Sequence, residues 1–95
     1  MMFPATDMQI STRGQFRALL QDVKRCLANG TLRQVKPPPE HPYPSTVIDD
    51  IRTVPDDGPW PADIIEAYFK DRSGRRYQLE VETYHGSGGS WRIVP

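Results

Sequence analysis

The stretch Ile65-Glu66-Ala67-Tyr68-Phe69-Lys70-Asp71-Arg72-Ser73-Gly74-Arg75-Arg76-Tyr77-Gln78-Leu79-Glu80-Val81 decides the fold. Apolar residues alternate on both sides of its centre: Ile65, Ala67 and Phe69 before it, then Tyr77, Leu79, Val81 and Thr83 after it. Alternation with period two sets each group on one face of a strand. Between the groups, Asp71-Arg72-Ser73-Gly74 suits a three-residue hairpin loop with glycine in the left-handed position. A one-residue slip would turn every apolar side chain outward. Pairing Asp71 with Arg75 therefore sets Phe69 against Tyr77, Ala67 against Leu79 and Ile65 against Val81.

Working outward, Ser90 to Val94 reads as a further strand with Trp91 and Ile93 on one face, reached through the glycine loop Gly86-Ser87-Gly88-Gly89. The same reasoning sets Val81 against Ile93 and Thr83 against Trp91. Upstream, Phe16, Leu19, Leu20, Val23 and Leu27 form one apolar stripe at helical spacing, predicting a helix over 12–29. Thr12 with Gln15 fits a capping box. Gly30 stands where a left-handed residue ends a helix. Lys24 and Arg25 lie toward the negative end of the helix dipole.

The remaining segments are less regular. Residues 1–10 carry no clear pattern and are expected to be loosely packed. Residues 31–36 suit a short extended piece. Eight of the ten prolines fall between 37 and 61, so 36–45 reads as a proline-rich connector. Pro39-Glu40-His41-Pro42 matches P-x-x-P, but a rigid connector is the plainer reading. Thr46 to Val54 is rich in β-branched residues and favours a strand, although 47, 48, 51 and 54 also fit two helical turns.

The expected fold is thus α+β: one domain over 1–95, with the N-terminal helix on one face of a three- to four-stranded antiparallel meander within 46–95. A chain of 95 residues has no room for a second core. A helix over a meander that ends in Ser90-Trp91-Arg92-Ile93-Val94 is similar in layout to cystatin-like folds and to small bacterial immunity and inhibitor proteins. The likeness is one of layout alone, and it implies no residue roles.

Composition narrows the function classes. Twelve Lys and Arg balance twelve Asp and Glu, so steering toward nucleic acid or an anionic membrane is not expected. One cysteine, Cys26, excludes an intramolecular disulfide and fits a reducing compartment. With no signal-peptide pattern at Met1-Met2-Phe3-Pro4, the expected location is cytoplasmic. Cys26 next to the apolar stripe reads as a small core hydrophobe. His41 and His85 lack ligand spacing, and Gly86-Ser87-Gly88-Gly89-Ser90 leads into a strand instead of the helix that a phosphate cradle needs. No catalytic, metal or cofactor residue is assigned.

The register also fixes the outer face of the sheet. Lys70 stands opposite Arg76, Tyr68 opposite Gln78, Glu66 opposite Glu80, Glu82 opposite Arg92, and Tyr84 opposite Ser90. Directly opposed like charges are unfavourable, so solvent, a cation or a partner should compensate. The plain reading is a solvated face. The sharper one is a recognition surface in which Ile64, Tyr68 and Tyr84 interleave with charge. The expectation is a non-catalytic protein-interaction module that can self-associate as a homodimer through the sticky edge at Ile93 and Val94, with Glu66, Tyr68, Glu80, Glu82, Tyr84, His85, Trp91, Arg92 and Trp60 as candidate binding residues. The alternative is a small-ligand protein or weak enzyme with a pocket between helix and sheet, lined by Tyr43, Trp60, Tyr84, His85 and Trp91.

Overall fold

The computed structural model describes residues 6–38, 47–60, 64–82 and 88–94. Its elements are β1 (Met8–Ile10), α1 (Arg13–Asn29), β2 (Leu32–Val35), a 3-10 turn (Ile51–Thr53), β3 (Ile64–Asp71), β4 (Arg76–Glu82) and β5 (Gly89–Val94). One helix packs with a five-stranded antiparallel sheet of order β1-β5-β4-β3-β2. The class is α+β as expected, with more strands than the sequence suggested.

Helix α1 starts on the expected capping box. The Gln15 amide donates to Thr12 Oγ1 at 3.1 Å, and Gln15 Oε1 accepts from the Thr12 amide at 3.1 Å. It ends at Gly30, whose φ of 80° is left-handed. Phe16, Leu19, Leu20, Val23 and Cys26 are buried, with Leu27 half-buried beside them. The last turn holds no basic residue. Lys24 instead leaves the helix sideways, its Nζ donating to Val54 O at 2.5 Å and to Asp56 Oδ1 at 2.6 Å.

The β3–β4 register is the expected one at every pair, from Ile65 against Val81 to Lys70 against Arg76. The β4–β5 register is not. Trp91 faces Leu79, Ile93 faces Tyr77, and Gly89 faces Val81. The strand has slid while keeping its faces, so Trp91 remains inside and is completely buried. It stacks on Tyr77 at 5.2 Å between ring centres and lies 5.4 Å from Phe69. Gly89 makes this register possible. A Cβ there would meet Glu80 O and, at 2.8 Å, Val81 Cα.

Three further expectations are corrected. Met8–Ile10 is a strand on β5, with Ile10 buried in the core, so the start of the described chain is not loosely packed. Consequently β5 is an interior strand over Gly89–Trp91, where β1 pairs with it, and the sheet edges are β1 and β2; beyond that pairing the Ile93 amide donates to Asp7 Oδ1 at 2.8 Å. Residues 47–54 do not form a regular strand. Val47 makes a single parallel bridge to Glu66, and Ile51–Thr53 closes a 3-10 turn capped by Asp50. Local bonds satisfy this backbone: the Val54 amide donates to Ile51 O, and the Arg52 amide to Asp50 Oδ1. The Gln34 side chain pins the segment to β2, donating to Ile48 O at 2.6 Å and accepting from the Ile51 amide at 2.8 Å.

The core therefore sits between α1 and the inner sheet face and is closed by Ile51 and Val54. Among the described residues no helix is long and apolar enough to cross a membrane.

Candidate functional site: the outer sheet face

The face turned away from α1 is ordered by strand pairing into rows. Arg33, Lys70 and Arg76 stand side by side on β2, β3 and β4, with Val94 beyond them on β5. The next row is Val35, Tyr68, Gln78 and Arg92. After it come Glu66, Glu80 and Ser90, then Ile64 and Glu82. Cations thus gather at one end and carboxylates at the other, with an aromatic and amide row between. Among the described residues, none of Arg33, Lys70 and Arg76 makes an ion pair.

The middle row is locked by hydrogen bonds. The Tyr68 hydroxyl donates to Glu66 Oε2 at 2.8 Å. Gln78 Nε2 donates to both Glu66 Oε2 and the Tyr68 hydroxyl at 3.1 Å. Arg92 Nη2 donates to Gln78 Oε1 at 2.6 Å. Glu66 is only 4% exposed and Tyr68 7%, so this carboxylate and phenol are buried on what the alternation alone marks as the polar side. Burial pushes the Tyr68 hydroxyl up to about 12, with the Glu66 carboxylate adding to the shift. The phenol thus stays protonated and a donor across the neutral range.

Beside this row lies a groove of about 200 Å³, lined by Val35, Lys36, Pro38, Tyr68, Arg76, Gln78 and Val94. Its walls are apolar at Val35, Pro38 and Val94, with cations at Lys36 and Arg76. At the other end of the face, Ile64 is 42% exposed beside Glu80 and Glu82.

The structure unites Glu66, Tyr68, Glu80, Glu82 and Arg92 on this one face. Arg92, however, stands opposite Gln78, not Glu82, because β5 has slid. Trp91 belongs to the core and not to the face. Trp60 lies elsewhere, as a plug over one end of the core. It packs edge-on against Phe16 at 5.0 Å, lies under the Arg13 guanidinium at 4.8 Å, and its Nε1 donates to Pro55 O at 2.9 Å. Tyr84 and His85, and Tyr43 of the alternative pocket, lie outside the described residues. Sequence reasoning missed Arg33 and Val35 as members of the face, and it set Gln78 there opposite Tyr68 without counting it among the binding candidates. The signal for the first two was the short extended piece at 31–36, once paired with β3.

Burial pushes the Cys26 thiol up, with nearby Asp22 acting in the same direction. Among the described residues no three His, Cys, Asp or Glu side chains come together as a metal site. Comparison with known proteins finds no matching family model, no matching curated protein and no matching solved structure.

Proposed function

We propose that the chain is a non-catalytic binding module that recognises a protein partner through its outer sheet face. The observation that carries this reading is the sorting of like charge into rows. Arg33, Lys70 and Arg76 are direct cross-strand neighbours, as are Glu66 and Glu80. The cationic pairs oppose sheet stability in the free chain, and a partner of complementary charge removes that opposition while gaining specificity and speed of association; Glu66 is already held by Tyr68 and Gln78. The locked middle row supports the same reading, because side chains fixed before binding lose little freedom when a partner arrives. The filled space between α1 and the sheet favours a surface function over an interior pocket: Phe16, Leu20, Phe69, Tyr77, Leu79 and Trp91 are all buried there.

The test is affinity capture from the host lysate with three baits: the native chain, an outer-face variant carrying Arg76→Glu and Glu80→Lys, and a control carrying Arg25→Glu on the exposed side of α1. A stoichiometric partner held by the native chain and the control but lost by the outer-face variant is the expected result. A partner held equally by all three would overturn the assignment to this face.

A further inference from the structure

Resting on the reading of the outer face as a binding surface, we infer that its cationic row and the adjoining groove take an extended peptide segment with acidic residues next to an apolar one. Charge complementarity points to this occupant. Three cations without ion-pair partners among the described residues lie on neighbouring strands, and Lys36 adds a fourth at the groove wall. Neighbouring strands run about 4.8 Å apart, so the row spans roughly 10 Å. An extended peptide rises about 3.3 Å per residue and repeats its facing side chains every two residues, roughly 6.6 Å. Two carboxylates on alternate residues therefore fall over the row together.

The groove specifies the apolar part. Val35, Tyr68 and Val94 offer an apolar floor within about 200 Å³, next to Arg76. Tyr68 in that floor is already held by Glu66, and Gln78 beside it by Glu66 and Arg92. An apolar side chain enters the groove while the flanking carboxylates meet Arg76, Lys70 and Arg33. Guanidinium groups suit carboxylates because their fork can donate two parallel bonds.

A nucleic acid matches the face less well. Its phosphates continue along a track, and two rows from the cations they would meet Glu66 and Glu80. A short acidic segment covers the cationic end alone. Affinity for nucleic acid also grows with the number of phosphates neutralised, which a small row within a neutral chain limits.

The test is selection of a random heptapeptide phage library on the full chain, followed by fluorescence-anisotropy titration of the enriched peptides, synthesised with fluorescein. Enriched sequences are expected to place Asp or Glu beside a large apolar residue. Lys70→Glu and Arg76→Glu should each weaken their binding by about tenfold or more, the effect of losing one charge-assisted contact. Thermal melts establish that both variants fold, and Arg76→Gln gives a milder check at the same site. Enriched peptides without acidic residues that lose binding in these variants would overturn this inference while leaving the outer-face reading standing. Peptides that bind all variants equally, or no enrichment at all, would overturn both. Labelled oligothymidine binding more tightly than every peptide would replace the peptide with nucleic acid as the occupant.

Discussion

The Arg72 guanidinium closes the C-terminal end of α1: its Nε donates to Gly30 O at 3.1 Å and its Nη2 to Asn29 O at 3.3 Å. The β3–β4 turn thus supplies the cation that the last turn of the helix lacks. Free carbonyls and the negative end of the dipole both favour a cation there. Arg72 is exposed, so Arg72→Ala should cost only about 0.5–1 kcal/mol. Gly30→Ala should cost about 1–2 kcal/mol, because φ at this position is left-handed. Urea denaturation of both variants checks the pair. An Arg72→Ala chain as stable as the native one would mean that the contact contributes nothing in solution.

The same turn carries an acid-sensitive contact. Asp71 Oδ1 accepts from the Ser73 hydroxyl at 2.7 Å, the Ser73 amide at 2.9 Å and the Arg75 amide at 3.0 Å, while Oδ2 accepts from the Tyr77 hydroxyl at 2.8 Å. Bonds from Ser73, then from Tyr77 and Arg75, hold its carboxyl at about 2, below the ordinary 3.8. A carboxylate with a lowered folded-state pKa stabilises the fold above its unfolded value and loses that contribution as pH falls toward the folded one. The native chain should therefore exceed Asp71→Asn in melting temperature by its largest margin above about pH 4, and the margin should close between pH 4 and pH 2. A margin that is constant with pH would show that Asp71 acts by its shape alone.

How much of this was legible in the sequence follows from what alternation can encode. Faces were legible: Ile65, Phe69, Tyr77, Leu79 and Trp91 all point inward as their spacing requires. The β3–β4 register was legible too, because a short turn ties the strands together. The β4–β5 register was not. A slide by an even number of residues preserves every face, and only the fit of Gly89 against Val81 selects among such slides. β1 was hidden because three residues carry too little pattern. Residues 47–54 were misread because β-branched side chains favour a strand only where a partner strand is free, and β3 is already paired by β2 beyond Tyr68. On the face itself, alternation marked Glu66 as exposed. It is held by Tyr68, Gln78 and the bridge to Val47, and the last two are tertiary neighbours that no local pattern records.

Gly89 offers a sharp test of that register. Its missing side chain lets β5 approach Glu80 and Val81, both through backbone atoms that cannot swing aside. Gly89→Ala should destabilise by about 1–3 kcal/mol, the usual scale for forcing atoms into a packed site, and Gly89→Val by more. Chemical denaturation measures the difference. A neutral Gly89→Ala variant would show that β5 pairs with β4 in another register.

Trp91 should be the costliest single residue to remove. It is buried between Tyr77 and Phe69, with α1 over the sheet. Trp91→Ala should lose about 3–5 kcal/mol, a large share of the roughly 5–15 kcal/mol available to a domain. Trp91→Phe should keep the fold at a smaller loss. Trp60→Ala should cost less than Trp91→Ala, since its ring is only partly buried at the end of the core. Melting curves of the three variants give the order, and the reverse order would put Trp60 rather than Trp91 at the centre of packing.

The cationic row leads to a prediction in which stability and binding move in opposite directions. Lys70 stands between Arg33 on β2 and Arg76 on β4, so it has a like charge on both sides. Lys70→Glu turns both pairs into attractive ones. Opposed charges across strands contribute roughly 0.2–1 kcal/mol each relative to neutral pairs, so this variant should be more stable than the native chain at low salt. The gain should shrink as salt screens it. The same variant should lose binding at the outer face, because it places a carboxylate where the partner brings one. A residue that served stability alone would not be lysine at this position. Urea midpoints at low and high salt, read beside binding of the selected peptides, measure both sides of the relationship. A Lys70→Glu chain that is less stable than the native one at low salt would mean that the row is not repulsive, and it would remove the physical basis for assigning recognition to this face.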